Sequence, residues 1–179
     1  MELQAGDLKV AFFKLCDRFS HRVLVKHDEN WSVVLESIEG SDQESWPASP
    51  PFQQIVGEPI GKDGRMVLLG VGLSGTGHWS VSVDENDSGA IVFDVACRVS
   101  GDFGFLGSTW KLGKDWHLAD AAEDRLLLRS PNGQKSLELV NLNGKLFYEQ
   151  AALLIGSKPT GRDTYPKPHR WAVRLQKLT

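Results

Sequence analysis

The chain is predicted to be all-β: a single-domain antiparallel β-sandwich or flattened β-barrel of about ten strands with at most one short helix. Three observations lead there. Apolar residues recur with a period of two over most of the chain, as they do when one strand face is buried. Asn, Asp, Gly and Pro clusters separate these runs at short intervals. Only His117–Arg125 (HLADAAEDR) has the composition of a helix. The clearest stretch is Leu68 to Val99, which reads as a long hairpin. In it Trp79, Val81 and Val83 alternate with His78, Ser80 and Ser82, and after the polar run Asp84–Gly89 the alternation resumes through Ile91, Phe93, Val95, Cys97 and Val99.

The remaining elements follow in order. Leu8, Ala11, Phe12, Leu15 and Phe19 fit helical spacing, whereas Leu8, Val10 and Phe12 fit a strand; β-branched and aromatic content favours the strand. His21–Lys26 and Trp31–Ile38 flank a His27–Asn30 turn and predict a hairpin. Residues 39–65 carry Pro47, Pro50, Pro51 and Pro59 with several glycines, and predict a long irregular loop pinned to the body by Trp46, Phe52 and Ile55. Beyond the central hairpin come a glycine-rich connection (Ser100–Gly107), a short strand (Thr109–Leu112) and the helix candidate. Leu126–Arg129 and Ser136–Val140 form a third hairpin, and Lys145–Tyr148 extends towards Ile155. A second Pro/Gly-rich loop, 156–169, precedes a last strand at Trp171–Leu178. No repeat of fixed period interrupts residues 1–179, which read as one domain.

Composition narrows the function classes. A net charge of −3 and a pI near 5.9 argue against a nucleic-acid binder working through a general basic surface. The N-terminus has no basic region leading into an apolar core, and no apolar run approaches the ~20 residues of a membrane-spanning helix. No membrane or nucleic-acid partner is therefore expected, and the expected compartment is the cytoplasm. Cys16 and Cys97 are predicted to be buried free thiols, as suits a reducing compartment. The acidic cluster of Asp28, Glu29, Glu36, Glu39, Asp42 and Glu44 contrasts with a basic C-terminal end, Lys158, Arg162, Lys167, Arg170, Arg174 and Lys177. That end suits an anionic ligand or an acidic partner surface, and the simpler reading is mutual neutralisation of the two ends within the fold.

Several motifs lack the context that would give them chemistry. Gly70–Gly75 matches G-x-G-x-x-G, but a strand follows where a dinucleotide site needs a helix. Asp102-Phe103-Gly104 is not accompanied by the other parts of a kinase. The glycines read instead as close approach of a neighbouring strand or as a bulge. Asp84–Gly89 resembles the start of a calcium loop, yet Val95 occupies the bidentate glutamate position. The five histidines show no zinc spacing and no cysteine partner. Six tryptophans are more readily core aromatics than a sugar or ligand platform.

The expectation is therefore a non-catalytic binding or interaction module, with no cofactor, no metal and no catalytic residues. Its partner would be a protein or a small molecule, and a homodimer is compatible with it. The alternative is a barrel-type enzyme or small-molecule carrier with a Trp-lined pocket. The candidate ligand-binding residues are His78, Ser80, Asp94 and Arg98 on the polar face of the central hairpin, with Trp79 and Trp46. Two pairing registers set Val81 opposite Ile91 or Phe93, which puts Asp94 opposite His78 or Ser80 respectively.

Overall fold

The computed structural model describes residues 1–40, 46–101, 103–149, 151–157 and 168–178. Among them the regular structure is entirely β, in fifteen strands. β1 (Glu2–Ala5), β2 (Leu8–Leu15), β3 (Arg18–His27) and β4 (Asn30–Ser37) form a meander in one sheet. The chain then crosses to a second sheet and makes another meander from β5 (Phe52–Ile60), β6 (Arg65–Ser74), β7 (Gly77–Glu85) and β8 (Ile91–Val99). β9 (Gly107–Leu112) returns to pair with β4. β10 (His117–Ala121), β11 (Arg125–Arg129) and β12 (Ser136–Asn143) extend the second sheet. β13 (Lys145–Glu149) and β14 (Ala152–Gly156) complete the first, and β15 (Pro168–Leu178) fills the gap between β12 and β8. The result is a seven-stranded sheet, β1-β2-β3-β4-β9-β14-β13, packed on an eight-stranded one, β10-β11-β12-β15-β8-β7-β6-β5, with every pairing antiparallel. The sandwich is borne out; the flattened barrel is not, because each sheet keeps two edges.

Alternation places the core where the sequence puts it. Val10, Val23 and Val25 of the first sheet face Val83, Phe93, Val95, Leu139 and Leu175 of the second, all at most 3% exposed. Two buried tryptophans tie the layers to polar partners. Trp171 Nε1 on β15 donates to Ser108 Oγ on β9 at 3.0 Å, and Trp110 Nε1 donates to His21 Nε2 at 2.8 Å. Trp79 and Trp116 are buried as well, while Trp31 and Trp46 are half-buried, so the core reading of the tryptophans holds.

Four expectations need correction. The count of strands rises from about ten to fifteen, partly because the segment read as one run splits into β13 and β14 around Ala151, whose φ is +63°. His117–Ala121 is an edge strand and not a helix; its pairing to β11 overrides the helical propensity of HLADAA. Within residues 39–65, β5 runs straight through Gly57 and Pro59. It is an edge strand, where a residue without an N–H is tolerated. Of the loop 156–169, residues 158–167 lie outside those described, and the last strand starts at Pro168. The pinning of the first loop is borne out. Trp46 Nε1 donates to Phe105 O at 2.7 Å, Ser49 Oγ donates to Thr109 O at 3.1 Å, and Phe52 and Ile55 are buried.

The cysteines divide. Both are free, but Cys16 is exposed in a tight turn with φ +54°, whereas Cys97 is buried and burial pushes its thiol up to about 12. Maleimide or disulfide reagents are expected to label one thiol of the folded protein quickly and the second only on unfolding. Cys16→Ser should abolish the fast phase; a fast phase that survives would contradict the burial of Cys97.

Candidate interaction face

The central hairpin adopts neither predicted register. Val81 lies opposite Val95, Ser82 opposite Asp94, Ser80 opposite Ala96 and His78 opposite Arg98. The cause is the turn. Asn86 Oδ1 accepts from the backbone N–H of Ser88 and of Ala90, and Asn86 N–H donates to Ala90 O at 2.9 Å, so the turn centres on Ser88, further along the chain than either predicted register puts it. Parity is unaffected. His78, Ser80, Asp94 and Arg98 do share the outer face of the eight-stranded sheet. His78 and Asp94 are nonetheless four residues apart along the ladder, about 13 Å at strand rise, and do not form a pair. The carboxylate of Asp94 instead accepts from Arg170 on β15, with Nε at 2.6 Å and Nη2 as a second donor.

Trp79 points the opposite way, into the interior, and Trp46 folds over it from the first loop with ring centroids 5.5 Å apart. Phe103 and His169 continue this aromatic cluster, at 6.3 Å from Trp46 and 5.0 Å from each other respectively. The six candidate residues thus separate into an outer polar row and an inner aromatic pair.

The outer face has a relief that the sequence reading passed over. On β6, Leu69, Val71 and Leu73 stand out side by side, 40%, 52% and 49% exposed. The alternate positions Gly70 and Gly72 face inwards, and they are glycines because the interior leaves no room. A Cβ on Gly70 would lie 2.5 Å from Ile55 Cδ1, and one on Gly72 would lie 2.1 Å from Pro51 O. The close-approach reading of the G-x-G-x-x-G match is therefore borne out. The apolar run Leu-x-Val-x-Leu between those glycines was the available signal for an exposed ridge. Next across the ladder come the short side chains Ser80, Ser82 and Ala96, flanked on the same face by His78 beside Leu73 and by Asp84 and Asp94. Arg98 follows Ala96 on β8, and Arg170 and Arg174 flank Ala172 on β15, so this side of the face is basic.

Among the described residues of the two charged ends, the ion pairs are local. Lys177 contacts Asp7 and Arg170 contacts Asp94, while the acidic cluster is met by Arg22 and Lys111 at Glu36. Among the described residues no ion pair joins the two ends; Asp42, Glu44, Lys158, Arg162 and Lys167 lie outside them. Among the described residues Arg98 and Arg174 have no carboxylate partner, and Arg174 Nε is a buried donor without an acceptor.

A second concavity lies between the β3–β4 and β11–β12 turns. This half-open cleft of about 260 Å³ is floored by Val25, Trp116 and Pro131 and rimmed by His27, Asp115 and Lys135. Trp116 is held there by donating to Ser32 Oγ at 3.0 Å. No group of three or more His, Cys, Asp or Glu side chains able to hold a metal occurs among the described residues, and none of them forms a helix able to cross a membrane. No protein-family model, curated protein or solved structure matches the chain.

Proposed function

We propose that this protein is a non-catalytic binding module that recognises a partner protein through the outer face of its eight-stranded sheet. One observation carries the reading: three neighbouring apolar side chains of β6 stand in solvent beside the polar row His78, Ser80 and Ser82, with the exposed Arg98 next across the ladder. Isolated exposed apolar residues are ordinary, but a contiguous row rimmed by polar groups marks a contact surface. The scaffold beneath suits that role, since a filled two-sheet core holds the face rigid. The cytoplasm is the proposed compartment, one that suits the two unpaired thiols. The cleft under Trp116 favours a second reading, a small-molecule carrier.

Cross-linking of partners in cells, followed by titration of each purified candidate, separates the two. The expected result is a saturable complex weakened at least tenfold by Val71→Lys and unaffected by Leu142→Lys, which adds the same charge at a similarly exposed site on β12. A complex indifferent to Val71→Lys would overturn the proposal. Binding of small molecules that is lost on Trp116→Ala alone would support the carrier.

A further inference from the structure

We infer that the outer face receives an amphipathic α-helix with an acidic flank, contributed by a partner protein. The inference rests on the binding-module reading and supplies the partner's chemistry. It begins with width. The apolar ridge on β6 lies two strand spacings, about 10 Å, from Arg98 on β8 and three, about 14 Å, from Arg170 and Arg174 on β15. An α-helix with its side chains is about 10–12 Å across and so touches both sides at once. A single extended strand, about 5 Å from its neighbours, would reach only one.

The floor permits a close approach. Beside Leu69 and Val71 the residues Ser80, Ser82 and Ala96 are short, while His78 and Arg98 close the row of Leu73 and Asp94 stands on β8 against Arg170, so a helix can settle over the serines with the arginines along its far flank. The two sides then ask for different chemistry. Leu69, Val71 and Leu73 would bury an apolar stripe at i, i+3, i+4 and i+7 spacing. β8 and β15 offer three guanidiniums against Asp94, which Arg170 already engages, and Asp84 on β7 is the second carboxylate between the ridge and the arginines. Arg98, exposed and without a carboxylate partner among the described residues, calls for an acceptor from outside, which glutamate or aspartate on the helix flank would supply. A second copy of this chain fits less well. The described residues of the outer face of β5, which would meet the partner's basic side, offer only Glu58 as a carboxylate.

The test uses the full chain and a synthetic helical peptide of about sixteen residues, carrying leucines at that spacing and glutamates along one adjoining flank. Titrated into isotopically labelled protein, it should bind saturably and move amide resonances of β6, β7, β8 and β15. Val71→Lys and Arg98→Glu should each weaken it at least tenfold; both positions are exposed, so thermal unfolding should match wild type. Raising salt from about 50 to 200 mM should weaken it too, and lysines in place of the glutamates should abolish binding. Absence of saturable binding would overturn the inference, as would equal affinity for the lysine peptide or resonance changes confined to the β5 edge or the cleft. A wild-type dimer that Val71→Lys dissociates would overturn it as well, by giving the face to a second copy. If the peptide fails while a natural partner is lost on Val71→Lys, the helix falls and the binding-module reading stands.

Discussion

Glu39→Gln is expected to become progressively more stable than wild type as pH rises, by about 3 kcal/mol between pH 4.5 and pH 8. The carboxyl follows β4 and is 6% exposed. Ser37 Oγ donates to Oε1, Ser20 Oγ lies 3.1 Å from Ser37 Oγ, and Oε2 has no partner. Burial pushes the group from its ordinary 4.5 up to about 7, against the opposing pull of the Ser37 hydrogen bond and the Arg18 charge. A carboxyl with a raised folded-state pKa contributes stability that is intact below 4.5 and is lost as pH climbs through 7. His21 acts in the opposite sense. It is enclosed by Phe12, Phe93 and Trp110, and its Nε2 accepts the Trp110 N–H, which places the proton on a buried, unpartnered Nδ1. Burial pulls it down from 6.5 to about 3, so its contribution is intact above 6.5 and is lost as pH falls towards 3, on the order of 5 kcal/mol. Between pH 4.5 and 6.5 the two slopes cancel. Urea unfolding at closely spaced pH values should therefore show a plateau there for these two groups, and Glu39→Gln should replace its alkaline fall with a continued rise to 6.5. A constant offset between variant and wild type across the whole range would show that Glu39 is not buried as described.

Neither group announced itself in the sequence. Glu39 stood within an acidic cluster that reads as solvated, and His21 opened a strand without any motif. Their environments come from elements distant in the chain: Trp110 lies on β9 and Phe93 on β8. Period-two alternation, in contrast, is a local property, and it correctly separated Trp79, Val81 and Val83 from His78, Ser80 and Ser82. That parity alone sufficed to put His78, Ser80, Asp94 and Arg98 on one face. Which of them meet is set by the turn, and the Asn86 side chain reset it. Asp94 found Arg170 rather than His78 because β15 docks beside β8, a pairing between residues 76 positions apart that no local pattern encodes.

The elements misread share a second cause, position at a sheet edge. β10 and β5 each have one neighbouring strand, and β10 buries little of its surface. Alternation is then faint and propensity misleads, as it did for HLADAA and for the glycine- and proline-containing FQQIVGEPI. The Trp46–Trp79 contact was half legible. Both residues were singled out by their chemistry, but only the packing of the loop showed that Trp46 tilts over the buried Trp79 and that neither takes part in the outer face.

Gly72→Ala should cost more than about 3 kcal/mol and Gly72→Val should prevent folding, although neither substitution touches a hydrogen-bonding side chain. The reason lies in what surrounds the missing Cβ. It would sit 2.1 Å from the carbonyl oxygen of Pro51, 2.7 Å from the carbonyl carbon and 2.9 Å from Phe52 Cα. All three are backbone atoms, so no rotamer change can make room; β5 itself must move away from β6. That movement would break the Phe52–Gly72 pairing and pull at the bulge where Gln53 stands in for a ladder residue, its Nε2 donating to Leu73 O at 2.8 Å and its Oε1 accepting the Leu73 N–H at 2.7 Å. Phe52, 2% exposed, would leave the core with it. Gly75 provides the control on the same strand's turn. Its φ is +53° with nothing near the Cβ position, so Gly75→Ala meets only the left-handed backbone cost of about 1–2 kcal/mol. Chemical unfolding of the two alanine variants should separate them clearly. If Gly72→Ala lay within 1 kcal/mol of Gly75→Ala, as an order-of-magnitude bound, the glycine would not be serving close approach, and the origin of the exposed β6 ridge would have to be sought elsewhere.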